Sequence, residues 1–114
     1  MNGITTHVLD IARGSPAANL AVTLERIAKD GEATLVGAGR TDLDGRVRGL
    51  VPGGADVAPG RYRLRFDTGD WFAGQGIEGF FPHVTVEFDL RDAGRNCHVP
   101  LLLSPYGYST YRGT

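Results

Sequence analysis

The chain has 114 residues, and its 12 Lys and Arg against 13 Asp and Glu leave a formal net charge of -1. This near-neutral balance gives no electrostatic reason to expect binding to nucleic acid or to an anionic membrane. The length predicts a single domain over residues 1–114, because it supports one two-layer core but not two separate cores. The single cysteine, Cys97, excludes an internal disulfide framework, and no segment reads as a signal peptide or a membrane span, so we expect a cytoplasmic protein.

Short runs of alternating apolar and polar residues, separated by many of the 17 glycines and six prolines, predict an all-β sandwich. The alternation is clearest in residues 22–25, 61–67 and 83–90. The arginines of 61–67 share its polar face, which we interpret as a solvated side of the sheet. In chain order, the predicted strands cover residues 4–11, 22–25, 33–41, 46–50, 61–67, 83–90, 96–103 and 106–112.

Turns and one short helix connect these strands. Asp30-Gly31 and Asp44-Gly45 are predicted hairpin turns, because glycine accepts the positive φ that tight turns require. A helix of one or two turns is predicted after Asp70, whose carboxylate is placed to cap the residues that follow. Glycines at positions 69, 74 and 76 limit its length.

Two predicted strands carry apolar residues on a face that an open sheet normally leaves to water. In 96–103 this face holds His98 together with Pro100 and Leu102, and in 4–11 it holds His7 together with Leu9. A second subunit that covers both faces is the simplest explanation. The pattern therefore predicts that the two histidines lie at a subunit interface.

The common hydrolase, nucleotide and zinc motifs are absent, since the sequence has no G-x-S-x-G, Walker loop, H-E-x-x-H or paired cysteines. A histidine on a strand is more often structural than catalytic, and His83 keeps that interpretation. His7 and His98 differ because each lies on an apolar face that is predicted to be covered. The residues interpreted as packing rather than chemistry are Cys97, Trp71, Phe80 and Phe81.

The closing stretch HVPLLLSPYGYSTYRGT is dense in tyrosine and resembles the C-terminal signature of the transthyretin-related proteins that hydrolyse 5-hydroxyisourate. The resemblance extends over essentially the whole chain. The other matching segments are Thr6-His7-Val8-Leu9-Asp10, Ser15-Pro16-Ala17-Ala18, Val22-Thr23-Leu24, the turn Arg40-Thr41-Asp42-Leu43-Asp44-Gly45-Arg46, residues 61–69 and Phe80-Phe81-Pro82.

This resemblance implies a transthyretin-like two-sheet sandwich of seven to eight strands, assembled as a homotetramer that is a dimer of dimers. It also implies hydrolysis of 5-hydroxyisourate, a cyclic amide, without a cofactor. The functional positions of the family fall on His7, Arg46, His98 and the terminal Tyr111-Arg112-Gly113-Thr114. The residues expected to act in catalysis are His7, Arg46, His98 and Thr114. Those expected to bind substrate are His7, Arg46, Tyr111, Arg112 and Gly113. The commoner last residue of the family is serine, and Thr114 keeps its hydroxyl while adding a methyl group.

The chemistry of amide hydrolysis is consistent with these residues. It needs an activated water, stabilisation of a developing oxyanion and a proton for the departing nitrogen. Imidazoles titrate near neutral pH, and an arginine remains charged and offers planar donors. No metal is required, and the histidines are too few and too scattered for an obvious metal site.

Two other functions stay open on sequence alone. One is a non-catalytic carrier of a small aromatic ligand, and the other is a sandwich module for protein interaction. Neither function needs His7, Arg46 and His98 together, so their joint presence favours the hydrolase.

Overall fold

The computed structural model describes residues 3–54, 56–92 and 95–113, which form two four-stranded sheets and short helical segments. The first sheet has the order β2-β1-β7-β8, and the second has the order β4-β3-β5-β6. In chain order the strands are β1 (Ile4–Asp10), β2 (Ser15–Pro16), β3 (Ala21–Ile27), β4 (Ala33–Arg40), β5 (Gly60–Phe66), β6 (Val84–Leu90), β7 (Cys97–Ser104) and β8 (Gly107–Thr110). A 3-10 turn spans Pro52–Gly54, and the helix α1 spans Thr68–Ala73.

The core lies between the inner faces of the two sheets, where the alternating apolar residues meet. Tyr62, Leu64 and Phe66 of β5 are at most 2% exposed, and Leu101 and Leu103 of β7 face them from the other sheet at most 1% exposed. Full burial of such a side chain stabilises a fold by about 1.5–3 kcal/mol. The predicted sandwich is therefore confirmed, and the described part of the chain contains no helix long and apolar enough to cross a membrane.

The outer face of the second sheet carries the predicted row of arginines, each beside a carboxylate. Arg61 bonds Asp89 at 2.9 Å, and Arg63 bonds Glu25 at 2.9 Å. The predicted polar face of 61–67 is thus confirmed as an outward surface of paired charges.

The pairing of β1 with β7 is parallel, and it sets the relative positions of the two histidines. In this register Thr5 lies opposite His98, and His7 lies opposite Pro100. Side chains alternate between the two faces of a sheet, so residues in register on parallel neighbours share a face. His7 and His98 therefore lie on the same outer face, two residues apart along the strand direction, which corresponds to about 7 Å.

The predicted strand at 46–50 is wrong. Arg46 forms a single bridge with His7, and the chain then turns through Gly49, whose φ is +69°. Val47 and Leu50 are the buried residues of this segment, and their spacing of three does not fit a strand. Gly37 lets the Leu50 backbone approach β4 closely, because a Cβ at position 37 would clash with the Leu50 carbonyl.

The two predicted hairpin turns have different outcomes. Asp30-Gly31 joins the antiparallel strands β3 and β4, with φ of +88° at Gly31, so that prediction is confirmed. Asp44-Gly45 forms a tight turn with φ of +81° at Gly45, but no strand follows it and no hairpin forms.

Helix α1 begins two residues before Asp70, so the predicted capping role of Asp70 is wrong. Its N-cap residue, Asp67, makes no side-chain capping bond. The amide of Gly69 instead donates to the Pro82 carbonyl at 3.0 Å. A distant backbone acceptor thus satisfies a free amide of the first turn, which a local capping pattern does not reveal.

Strand β8 is shorter than the predicted 106–112 because of the residue opposite its end. Leu101 pairs with Thr110 and His98 pairs with Gly113, so continuing this register places Pro100 opposite Tyr111. Proline has no amide hydrogen to donate to a ladder. The ladder breaks there and resumes at Gly113.

Candidate active site

His7 occupies the outer face of β1, half-buried, and its ring is held by a backbone carbonyl. Its Nε2 lies 2.7 Å from the carbonyl oxygen of Asp44. A carbonyl oxygen only accepts hydrogen bonds, so Nε2 must carry the hydrogen. In that tautomer Nδ1 is the acceptor nitrogen.

The turn of residues 42–46 rests directly on β1. The amide of Val8 donates to the Gly45 carbonyl at 2.8 Å, and a Cβ at position 45 would clash with the Val8 carbonyl. Glycine is therefore required here by both close approach and positive φ. The carboxylate of Asp42 accepts the amides of Asp44 and Arg46 at 2.9 and 3.0 Å, a contact with nearby backbone that is typical of aspartate in turns.

Arg46 leaves this turn as an exposed side chain and pairs with His7 through the backbone bridge. Within the described residues, its guanidinium forms no hydrogen bond or ion pair with another side chain. A fully charged group with five free donors is thus presented beside the histidines.

His98 lies half-buried on β7, and its Nδ1 is 2.9 Å from the hydroxyl of Thr5. Burial, the guanidinium of Arg46 and the neighbouring His7 all lower the pKa of His98 below its ordinary value of 6.5. The ring is therefore neutral at neutral pH and keeps a lone pair that can accept a proton. The hydroxyl can either donate or accept, so this contact holds the ring without fixing its tautomer.

The tail reaches this face through Gly113. Its amide donates to the His98 carbonyl at 2.7 Å, and a Cβ at position 113 would lie 2.6 Å from His98 Cδ2. No described hydrogen bond, ion pair or ring contact joins Tyr111 or Arg112 to the histidines or to Arg46. Thr114 lies outside the described residues.

Tyr111 and Arg112 instead border a groove of about 390 Å³ between the tail and β6, together with Val86, Phe88 and Cys97. Burial raises the pKa of the Cys97 thiol, and the charge of Arg112 partly opposes that effect. Cys97 is only 5% exposed, which confirms the prediction that it is a core residue.

The structure thus brings together His7, Arg46, His98 and Gly113 from four separate segments. They form an open face rather than a cavity, and a groove of about 540 Å³ lies elsewhere, beside Asp10 and Trp71. Within residues 3–54, 56–92 and 95–113, no cluster of three or more His, Cys, Asp or Glu is placed to hold a metal ion. His83 is exposed and immediately precedes β6 of the other sheet.

Pro100 and Phe80 depart from their predicted environments. Pro100 is already buried within this chain, where the Thr110 hydroxyl donates to its carbonyl at 2.7 Å, so it needs no second subunit to cover it. Leu9 and Leu102 are only half-buried, as the pattern predicted. Phe80, interpreted from sequence as packing, is 68% exposed.

Sequence reasoning missed two contributions to this face: the Thr5 hydroxyl and the Asp44 carbonyl. Thr5 shares a strand face with His7, so alternation alone offered a signal for it. The carbonyl had none, because a backbone group leaves no trace in residue type.

Comparison with known proteins relates this arrangement to a family. Residues 4–113 match the model of the HIUase/Transthyretin family. A 5-hydroxyisourate hydrolase from Salmonella dublin is 46% identical over 113 residues, covering 99% of this chain and 82% of the relative. The structure of Klebsiella pneumoniae 5-hydroxyisourate hydrolase superposes with a TM-score of 0.84 at 36% identity, covering 100% of both chains.

A binding protein has the same fold. Sea bream transthyretin, solved in complex with thyroxine, superposes with a TM-score of 0.89 at 30% identity, covering 97% of this chain and 94% of that chain. These likenesses confirm the expected transthyretin-like sandwich. Because a hydrolase and a thyroxine complex share it, the fold alone does not separate the two functions.

Proposed function

This chain belongs to the HIUase/Transthyretin family, and on that premise we propose that it hydrolyses 5-hydroxyisourate. Water opens the cyclic amide at its C–N bond and gives 2-oxo-4-hydroxy-4-carboxy-5-ureidoimidazoline. The observation that carries the proposal is the convergence of His7, Arg46 and His98 on one sheet face. The higher identity to hydrolases than to the thyroxine-binding relative supports it.

His98 acts as the general base in this proposal. It is neutral at neutral pH because burial and the charge of Arg46 lower its pKa. For Nε2 to take the proton from water, Nδ1 must carry the other hydrogen and donate it to Thr5. The water oxygen then bonds to the amide carbon, and the resulting imidazolium can return its proton to the departing nitrogen.

Arg46 binds substrate and stabilises negative charge. Its planar guanidinium suits the oxygens of a urate-like ring, and we assign it to the oxyanion because its charge already acts on His98. His7 orients water or substrate through Nδ1, because Nε2 is already committed to the Asp44 carbonyl. If Nδ1 gains a proton, His7 can also act as the acid.

The tail completes the site in this proposal. Gly113 lies against His98, so Thr114, the next residue, is assigned a role near the reacting centre through its hydroxyl or carboxylate. Tyr111 and Arg112 are assigned to substrate binding, and Tyr111 is 58% exposed and so available to a ligand or a second subunit.

The active assembly is proposed to be a homotetramer, a dimer of dimers. An open catalytic face with half-buried Leu9 and Leu102 would exclude water only when another subunit covers it. A second apolar surface is formed by Phe80 and Tyr106, which are 68% and 67% exposed. Two separate faces of this kind fit the two interfaces of such a tetramer.

The activity is tested by adding the protein to freshly prepared 5-hydroxyisourate and following its ultraviolet absorbance. We expect decay well above the spontaneous rate, and we expect His98→Asn to remove most of it. Thyroxine binding by calorimetry, without any acceleration of decay, would favour the carrier function instead.

A further inference from the structure

Asp42 holds the turn that organises the catalytic face, although the proposed chemistry does not use it. Its Oδ1 accepts the amides of Asp44 at 2.9 Å and Arg46 at 3.0 Å, and its Oδ2 accepts Nε of Arg48 at 3.1 Å. We propose that Asp42 is a positioning residue, whose carboxylate fixes the tautomer of His7 and the direction of Arg46. This inference rests on the proposed hydrolase function.

The connection runs through the peptide unit between Asp44 and Gly45. The carboxylate holds the amides on both sides of that unit, which restricts its rotation. In the held orientation its carbonyl accepts His7 Nε2–H at 2.7 Å. Rotation of the unit would turn the carbonyl away, leaving His7 free to place its hydrogen on either nitrogen.

The rest of the turn is held by backbone bonds, so loss of Asp42 should loosen it without unfolding it. The Asp42 amide donates to the Arg46 carbonyl at 2.7 Å, and the Gly45 amide donates to the Asp42 carbonyl at 2.9 Å. The first bond closes the turn. The Gly45 amide belongs to the same planar peptide unit as the Asp44 carbonyl, so the second bond and the Asp42 carboxylate restrain that carbonyl together. Loss of the carboxylate should therefore widen the range of orientations of the carbonyl while one restraint remains.

A purely stabilising ion pair does not account for Asp42. The Arg48 side chain is 82% exposed, and pairs of this kind contribute little to stability. The pKa of Asp42 is lowered chiefly by the hydrogen bond from the Arg46 amide, so the contact that most stabilises its carboxylate is with the turn and not with Arg48.

The test compares Asp42→Ala and Asp42→Glu with Asp42→Asn and a matched control. Alanine removes the acceptor, whereas glutamate keeps the charge but has a longer side chain that does not fit both amides. Asparagine keeps one oxygen able to accept both amides. Asp30→Ala is the control, because the Asp30 carboxylate accepts the Glu32 amide at 2.9 Å in a turn remote from the site.

Two readouts are taken on the full chain. Histidine 15N–1H correlation spectra report the His7 tautomer without any substrate, and steady-state kinetics report kcat and KM. We expect a single Nε2–H tautomer in the unsubstituted protein, in Asp42→Asn and in Asp30→Ala. Asp42→Ala and Asp42→Glu should show mixed tautomers and a fall in kcat/KM of about tenfold to a hundredfold, as expected for misplacement of catalytic groups.

Several results would overturn the proposal. These are an unchanged His7 tautomer in Asp42→Ala, full activity in Asp42→Glu, or an equal defect in Asp42→Asn and Asp42→Ala. If Asp42→Ala does not fold, the glutamate and asparagine variants decide by the same criteria. Because the tautomer is read without substrate, a failed hydrolase assay of the unsubstituted protein would contradict the proposed function and leave the spectroscopic test intact.

Discussion

Replacing Gly113 with alanine tests whether the tail and His98 form one catalytic unit. The added Cβ would lie 2.6 Å from His98 Cδ2 and 3.2 Å from its Cβ and Cγ. Ordinary contact begins at about 3.4 Å, so the ring or the tail must move by at least about 0.8 Å. The ring cannot swing freely, because Thr5 holds its Nδ1 at 2.9 Å.

Whether the tail or the His98 ring moves, the substitution should lower activity more than stability. If the tail moves away, the protein loses the 2.7 Å bond between the Gly113 amide and the His98 carbonyl, at a cost of about 1 kcal/mol. In either response a catalytic group is displaced by nearly 1 Å, which lowers rates by up to about a hundredfold. That fall corresponds to about 2.7 kcal/mol of transition-state stabilisation, so the loss of activity should exceed the loss of stability.

The assay measures kcat/KM on 5-hydroxyisourate and the free energy of unfolding for Gly113→Ala. Gly107→Ala is the matched control on the same hairpin, because its Cβ would meet only Ser104 Oγ at 3.7 Å. We expect the control to keep nearly full activity. Wild-type kcat/KM in Gly113→Ala, or an equal loss in Gly107→Ala, would refute the reasoning that tail packing positions His98.

The other predictions address titration, catalysis, the tail and assembly. Because the pKa of His98 is lowered, kcat/KM should fall as pH drops through a value below 6.5. Arg46→Gln removes a charge that lowers this pKa, so the fall in kcat/KM should occur at a higher pH in that variant. An unchanged pH dependence in Arg46→Gln would contradict the proposed coupling. Substitution of His7 by alanine or asparagine, or of His98 by asparagine, should lower kcat by about a hundredfold to ten-thousandfold. The circular dichroism spectrum should stay unchanged. Near-normal turnover in a variant would show that the substituted histidine does not have the proposed catalytic role. Deleting residues 111–114 should leave an assembled protein with little activity, and full activity would show a purely structural tail. Light scattering should give a tetramer at micromolar concentration, and Phe80→Ser should yield smaller species, whereas a monomeric mass for the unsubstituted chain would refute the assembly.

The same His98 shift has a consequence for stability. A histidine whose folded pKa lies below its unfolded value binds fewer protons in the folded state. The contribution of neutral His98 to the free energy of unfolding is therefore fully present above the unfolded-state pKa of about 6.5. It is lost as pH falls from there toward the lower pKa of the folded state. Urea unfolding at pH 7 and pH 5 should show this loss, and His98→Asn should reduce it.

Much of the sandwich could be predicted because its strands alternate between a buried and a solvated face. The inner residues of β5 and β7 recur with period two, so their burial is encoded locally, and only the additionally buried Pro100 departs from the alternation in β7. The same alternation identified the outer faces of β1 and β7 as unusual, since His7 and His98 each sit beside a leucine. The pattern of apolar residues thus distinguishes both histidines without the family resemblance.

Failures occurred where distant backbone groups decide local structure. Segment 46–50 begins with the alternation Arg46-Val47-Arg48, yet the chain turns at Gly49 and the Leu50 carbonyl approaches Gly37 closely. Helix α1 begins early because the Pro82 carbonyl satisfies the Gly69 amide. Each contact joins residues 13 positions apart in the sequence, and one partner in each is a backbone carbonyl, which no residue type identifies.

The proposed catalytic face depends on strand pairing more than on any one segment. Thr5 meets His98 because β1 and β7 pair in parallel in this register, and a shift of one residue would move His7 to the core face while leaving His98 outside. Two glycines then let the remaining groups approach: Gly45 brings the Asp44 carbonyl and Arg46 onto β1, and Gly113 brings the tail onto β7. Residue type therefore specifies which groups are available for catalysis, whereas the non-local register specifies that they meet. For this reason Arg46 could be assigned from sequence only through the family resemblance, since nothing in its own segment indicates that the turn rests on His7.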